Sequence, residues 1–89
     1  MARKRNRLEI IRDILKITNE KGRIPPTRLI HSTNLSPQMF KEYILELTAK
    51  GLILEKHEKN KRYFALTKKG VTYLEEYRAF SNLIENFGL

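Results

Sequence analysis

The side chains of this 89-residue chain that could engage a partner are cations and amides rather than nucleophiles. Arg3, Lys4, Arg5 and Arg7 crowd its opening, and Lys56, His57, Lys59, Lys61 and Arg62 crowd a second short stretch. Between them, behind Ser36, the residues Gln38, Lys41, Glu42, Leu45 and Thr48 recur at spacings of three and four. Guanidinium and ammonium groups neutralise phosphate or carboxylate, while an amide, a carboxylate and a hydroxyl along one helix face can read a pattern of donors and acceptors. This is recognition chemistry aimed at a polyanion. Catalysis lacks its parts. No residues make a nucleophile–base pair or a phosphate-cradling loop, and so short a chain builds no deep pocket, so no enzyme is expected. There is no cysteine, and two isolated histidines, His31 and His57, cannot hold a metal, so neither a metal site nor a cofactor is expected.

The charge distribution sharpens this reading. Eighteen Lys and Arg against ten Asp and Glu give +8. Residues 1–70 hold seventeen basic and seven acidic side chains, +10, and residues 71–89 hold one and three, −2. A basic body with a mildly acidic tail suggests polyanion contact in the first and a different task in the second. Apolar runs never exceed four residues, which argues against a membrane span, and the opening cations are not followed by an apolar stretch of the signal-peptide type. The expectation is an intracellular protein, cytoplasmic and nucleoid-associated.

The elements that must position these groups follow from periodicity and punctuation. Residues 7–21 carry two adjacent apolar stripes, Leu8/Ile11/Leu15 and Ile10/Ile14/Ile17, and Gly22 ends that helix. The second stripe calls for a further partner, either the last helix or a second subunit. Arg23–Ile24 reads as a very short strand before Pro25–Pro26, and a short helix over 26–33 buries Leu29 and Ile30. Asn34 suits a left-handed turn. Ser36 then caps a helix that starts on Pro37 and closes at Gly51, with Met39, Phe40, Tyr43, Ile44 and Leu47 inward and the Gln38–Thr48 set outward. A short helix, a tight turn and a longer capped helix make a helix-turn-helix, with residues 36–50 as its recognition helix.

Beyond Gly51 the period drops to two. Residues 52–57 and 62–66 read as a hairpin turning at 58–61 and packing through Leu52, Leu54, Phe64 and Leu66, with its cations at the tip. Thr67 caps a final helix in which Tyr73, Tyr77, Phe80, Ile84 and Phe87 keep the 4-3-4-3 spacing of a coiled-coil seam. Packing against the first helix of the same chain is the competing reading of that seam. The fold class expected is mainly α with a small β-hairpin: a basic arm over 1–6, a winged helix-turn-helix over 7–66 and a dimerisation helix over 67–89.

In that order, NLS (Asn34–Ser36), EYILEL (Glu42–Leu47), GLI (Gly51–Ile53), YFALTKKG (Tyr63–Gly70) and LEEYRAF (Leu74–Phe80) resemble archaeal winged-helix proteins. With the basic opening and LEIIRDIL (Leu8–Leu15), the chain is most similar to the small ten-kilodalton archaeal DNA-binding, chromatin-type family. The resemblance implies binding of double-stranded DNA and a homodimer joined by an antiparallel pair of C-terminal helices, here shorter than the long arm of the best-known members. Two roles fit, a transcription regulator or an architectural protein. The reading from a different class is a protein-interaction winged helix whose basic surface meets an acidic partner protein.

Overall fold

Asn6 begins the first helix through a reciprocal cap. The structure, a computed structural model, describes residues 5–89. In it the Asn6 side-chain oxygen accepts from the Glu9 amide at 2.8 Å, and the Glu9 carboxylate accepts from the Asn6 amide at 3.2 Å. This satisfies orphan donors of the first turn from both directions. The helix α1 runs Arg7–Lys21 and stops where Gly22 takes φ +75°. Helix α2 (Pro26–Thr33) ends on Asn34 in the left-handed region, φ 57°, and α3 (Pro37–Ala49) starts where the Ser36 hydroxyl accepts from the Met39 amide at 3.2 Å. Strands β1 (Ile53–Glu58) and β2 (Lys61–Leu66) pair antiparallel, Ile53 opposite Leu66 and Glu58 opposite Lys61. Helix α4 covers Lys68–Asn86.

The hairpin turn is tighter than the charged four-residue loop expected. Only Lys59 and Asn60 lie outside the ladder, with φ 50° and 66°. Two successive positive φ values define the type I′ turn, whose twist matches that of the strands it joins. The short strand expected at Arg23–Ile24 is one residue of pairing: Ile24 and Phe64 exchange amide–carbonyl bonds of 2.9 and 2.8 Å. That bridge ties the linker between α1 and α2 to the hairpin, which two strands alone would leave marginal.

The core lies where α1, α3 and the hairpin base meet. Ile14, Leu15, Ile24 and Leu29 are fully enclosed, and Phe40, Ile44 and Leu47 bring in the inner face of α3. Both stripes of α1 are covered within the chain except at Leu8, which is exposed: Ile10, Ile11, Ile14 and Leu15 are buried and Ile17 is half-buried. In the hairpin Ile53 is the enclosed strand residue and Leu54 only half-buried, because the pleat places Ile53 beside Phe64 and Leu66 on the face that meets the helices. Met39, expected inside, is exposed, since it lies about 100° round α3 from Phe40 and about 140° from Ile44, outside the buried arc.

Gly70 fixes how α4 enters. A β-carbon there would stand 2.2 Å from the Leu52 carbonyl oxygen, so only glycine lets the α4 backbone approach the segment after α3. Thr67 reinforces the junction, accepting from the Gly70 amide at 3.0 Å and donating to the Gly51 carbonyl at 2.6 Å.

Candidate nucleic-acid interface

Helix α3 presents one solvent face with no covering element. Gln38, Lys41, Glu42, Leu45 and Thr48 are all exposed, Leu45 at 62%, and Ser36 is exposed at the cap. The division follows from the burial of Phe40, Ile44 and Leu47, which turns the opposite side outward. No ion pair or side-chain hydrogen bond occupies Gln38, Lys41, Glu42 or Thr48 among the described residues.

The hairpin divides its cations between its two faces. On one face the Glu55 carboxylate takes two of them, Arg62 at 2.8 Å and His57 Nε2 at 2.6 Å. These bonds, that from Arg62 foremost, hold the Glu55 carboxyl below its ordinary range and raise the Arg62 guanidinium above its own. On the other face Glu58 is held by Arg23 at 2.8 Å, and the same guanidinium lies 4.6 Å from the centre of the Tyr63 ring. Lys56, Lys59 and Lys61 have no ion pair with any described residue. Of the five wing residues named from sequence, the three lysines remain available, while Arg62 and His57 are bonded to Glu55.

The opening cations are arranged differently. Arg3 and Lys4 lie outside the described residues. Arg5 does not extend as an arm; it donates to Asp13 at 2.7 Å and to the Thr33 carbonyl at 2.6 Å, pinning the segment before α1 to the end of α2. Arg7 is the first residue of α1, bonded to the Glu46 carboxylate on α3 and 5.9 Å from the Tyr43 ring centre. Arg7 first, and Lys50 at 3.3 Å second, hold the Glu46 carboxyl below its ordinary value. Sequence reading missed Arg28, which is exposed on α2 without an ion pair among the described residues. Its position on the first helix of the helix-turn-helix was the available signal, because that helix crosses the phosphate backbone in this motif.

The seam on α4 divides as well. Tyr73 packs against the core of its own chain, where burial pushes its phenol up, and Tyr77 stacks on it at 6.4 Å with Arg12 of α1 5.8 Å from the Tyr77 ring. Phe80 and Phe87 stand 61% and 73% exposed, with Ile84 half-buried and Leu83 and Leu89 also bare. A cleft of about 390 Å³ between α1 and α4, with Leu74 and Val71 among its walls, is rimmed by Arg12, Lys16, Glu20 and Glu75.

Three helices, a paired hairpin and an outward α3 define a winged helix-turn-helix, and residues 4–85 match the family model of that description. The chain belongs to the winged helix-turn-helix family. Among solved structures it is similar to Sso10a-2, a DNA-binding protein from Sulfolobus solfataricus, with a TM-score of 0.76 and 25% identity over 93% of this chain and 85% of that one. F93 from STIV, a winged-helix DNA-binding protein, matches with a TM-score of 0.71 and 24% identity over 91% and 95%. The transcriptional regulator BldR from Sulfolobus solfataricus matches with a TM-score of 0.73 and 20% identity, over 89% of this chain but 59% of its own length. No curated protein matches the sequence. No helix among the described residues is long and apolar enough to cross a membrane.

Proposed function

We propose that this protein binds double-stranded DNA as a homodimer and acts by binding rather than by catalysis. The observation that carries the reading is the unpartnered outer face of α3 beside a hairpin whose Lys56, Lys59 and Lys61 are free of ion pairs. A helix of this kind enters the major groove with its first turns nearest the bases, and the hairpin lysines reach the phosphates alongside. Gln38 sits in the first turn, where its amide can pair with adenine, and Lys41 and Arg28 serve the backbone. Sso10a-2 and F93, both DNA-binding proteins, share this architecture, which supports DNA over an acidic protein as the partner. DNA as partner also makes the protein a cytoplasmic, nucleoid-associated one.

The test is binding to a defined and a random duplex across a salt series. Affinity should fall steeply with salt, by about 0.9 log units per log unit for each phosphate neutralised. Absence of binding to either duplex at low salt would exclude DNA and favour the acidic-protein reading. A preference for one duplex marks a transcription regulator, and equal affinity for both an architectural protein.

The dimer rests on the distal half of α4. Phe80, Leu83 and Phe87 leave an apolar surface that a second α4 would cover, with Ile84 between them. Phe80→Asp places an unpaired charge there and should dissociate the dimer. Light scattering checks this: a wild type that is monomeric at tens of micromolar, or a Phe80→Asp variant that stays dimeric, removes α4 as the interface.

A further inference from the structure

The middle of the outer face of α3 is acidic, and in a chain of net charge +8 that calls for an explanation. At about 100° per residue, Glu42 stands about 160° from Phe40 and from Ile44 and about 140° from Leu47, the three buried residues of the helix. It therefore occupies the line opposite the core, the part of α3 that reaches farthest outward. Gln38 and Leu45 lie about 40° and 60° to one side of that line, and Lys41 about 100° round the helix on the same side. The other three carboxylates of α3 and the hairpin are each engaged: Glu46 by Arg7 and Lys50, Glu55 by Arg62 and His57, Glu58 by Arg23. Glu42 has no ion pair among the described residues. Arg7 borders the same shallow depression as Glu42, yet its guanidinium is given to Glu46.

On the DNA-binding reading, which this inference deepens, that placement opposes general affinity. A carboxylate carried into a groove walled by two rows of phosphates meets like charge on both sides and loses its water. Two major-groove amino groups can donate to it, cytosine N4 and adenine N6, and cytosine is the better partner because adenine sets the acceptor N7 beside its amino group, where it repels a carboxylate. We propose that Glu42 is a specificity-determining residue that selects a G·C pair by accepting from cytosine N4 and penalises every sequence lacking cytosine at that step. The protein is then a site-selective binder, since an architectural protein gains nothing from a charge that weakens its hold on random DNA.

Selection from a random-sequence duplex pool, run on the wild type, Glu42→Gln and Glu42→Asp, tests this together with salt-series affinities for a random duplex. Both variants should fold like the wild type, because Glu42 is exposed and has no ion pair among the described residues. The wild type should enrich one G·C column. E42Q should lose that column or turn it toward A·T, the preference for cytosine falling by about 5- to 150-fold, and should bind random DNA more tightly. E42D keeps the charge on a shorter stem, so it should lose the column without gaining on random DNA. The same column in wild type and E42Q overturns the inference and leaves the DNA reading standing. So does a wild type with no preferred site. A wild type that binds no duplex at low salt overturns both.

Discussion

The opening of the chain, up to the first residue of α1, and the tip of the hairpin are the two most basic stretches of the molecule, and the fold uses them in opposite ways. In the first, the described cations are arginines, and both are engaged. Arg5 joins Asp13 and the end of α2, and Arg7 joins Glu46 on α3. In the second, the lysines stand free while Arg62 is turned back onto Glu55. The guanidinium group, planar and with several donors, can bridge two elements at once, whereas an ammonium on a flexible stem stays hydrated and available. A basic stretch is thus not by itself an interface. Its charge counts toward a polyanion only where no carboxylate of the same chain has taken it.

Four experiments can break or sharpen that contrast. The largest effect belongs to the hairpin. Replacing Lys56, Lys59 and Lys61 together by Ala should weaken binding to every duplex alike, by up to about tenfold per contact at 0.1 M salt, and flatten the log–log salt slope by at most about 2.7. Melting temperature should stay close to that of the wild type, since none of the three has a partner to lose. An unchanged slope would place the hairpin tip off the DNA. Next comes Arg62→Ala, which should weaken binding less than Lys61→Ala, because part of the Arg62 charge is already compensated by Glu55. Equal losses from the two would mean that the Glu55 bond opens on DNA and that the contrast within the wing dissolves.

Smaller still is Arg5→Ala. It should lower stability by up to about 1 kcal/mol in denaturant unfolding while leaving the salt slope of DNA binding as it was. Asp13 keeps Arg12 at 2.8 Å, which limits the loss. A flattened slope would restore Arg5 to the interface. The smallest effect is a pH dependence. The Glu46 carboxyl is lowered in the folded protein by Arg7, so its contribution is present above the ordinary glutamate value and fades as pH falls through the lowered one. Glu46→Gln should therefore reduce the loss of stability between about pH 5 and 3 in thermal unfolding, and change little at neutral pH. Identical acid profiles for variant and wild type would remove the Arg7–Glu46 pair from the account.

The legible part of the fold was its local part. The residues that end and begin helices, Gly22, Asn34, Ser36, Gly51 and Thr67, do so by backbone freedom or by hydrogen bonds over two or three positions, and each stands where its type suggested. The outward set on α3 was legible too, because Phe40, Ile44 and Leu47 fix its rotation. The hairpin turn was read too long because Glu58 and Lys61 look like loop residues, yet they close the ladder opposite one another. Met39 is apolar and helically spaced, but a repeat does not show how wide an arc the neighbouring elements cover, and that arc stops short of Met39 while it includes Phe40.

The sequence alone determined the element order, the helix ends and the sign of the charge, because these depend on interactions within a turn of helix or a pair of strand residues. Only tertiary structure decided which charges were already spoken for and which apolar residues were already covered. Arg7 and Glu46 are 39 positions apart, and Arg23 and Glu58 are 35 apart, so no local pattern announces either pair. The repeat from Tyr73 to Phe87 is continuous in sequence, yet its own chain covers only its beginning, half-burying Tyr73 and leaving Phe80 and Phe87 open. A period tells how a helix is greasy. How far its neighbour extends along it is set by the lengths and docking of whole elements, and Gly70, by letting α4 lie against the Leu52 carbonyl, fixes where that docking begins.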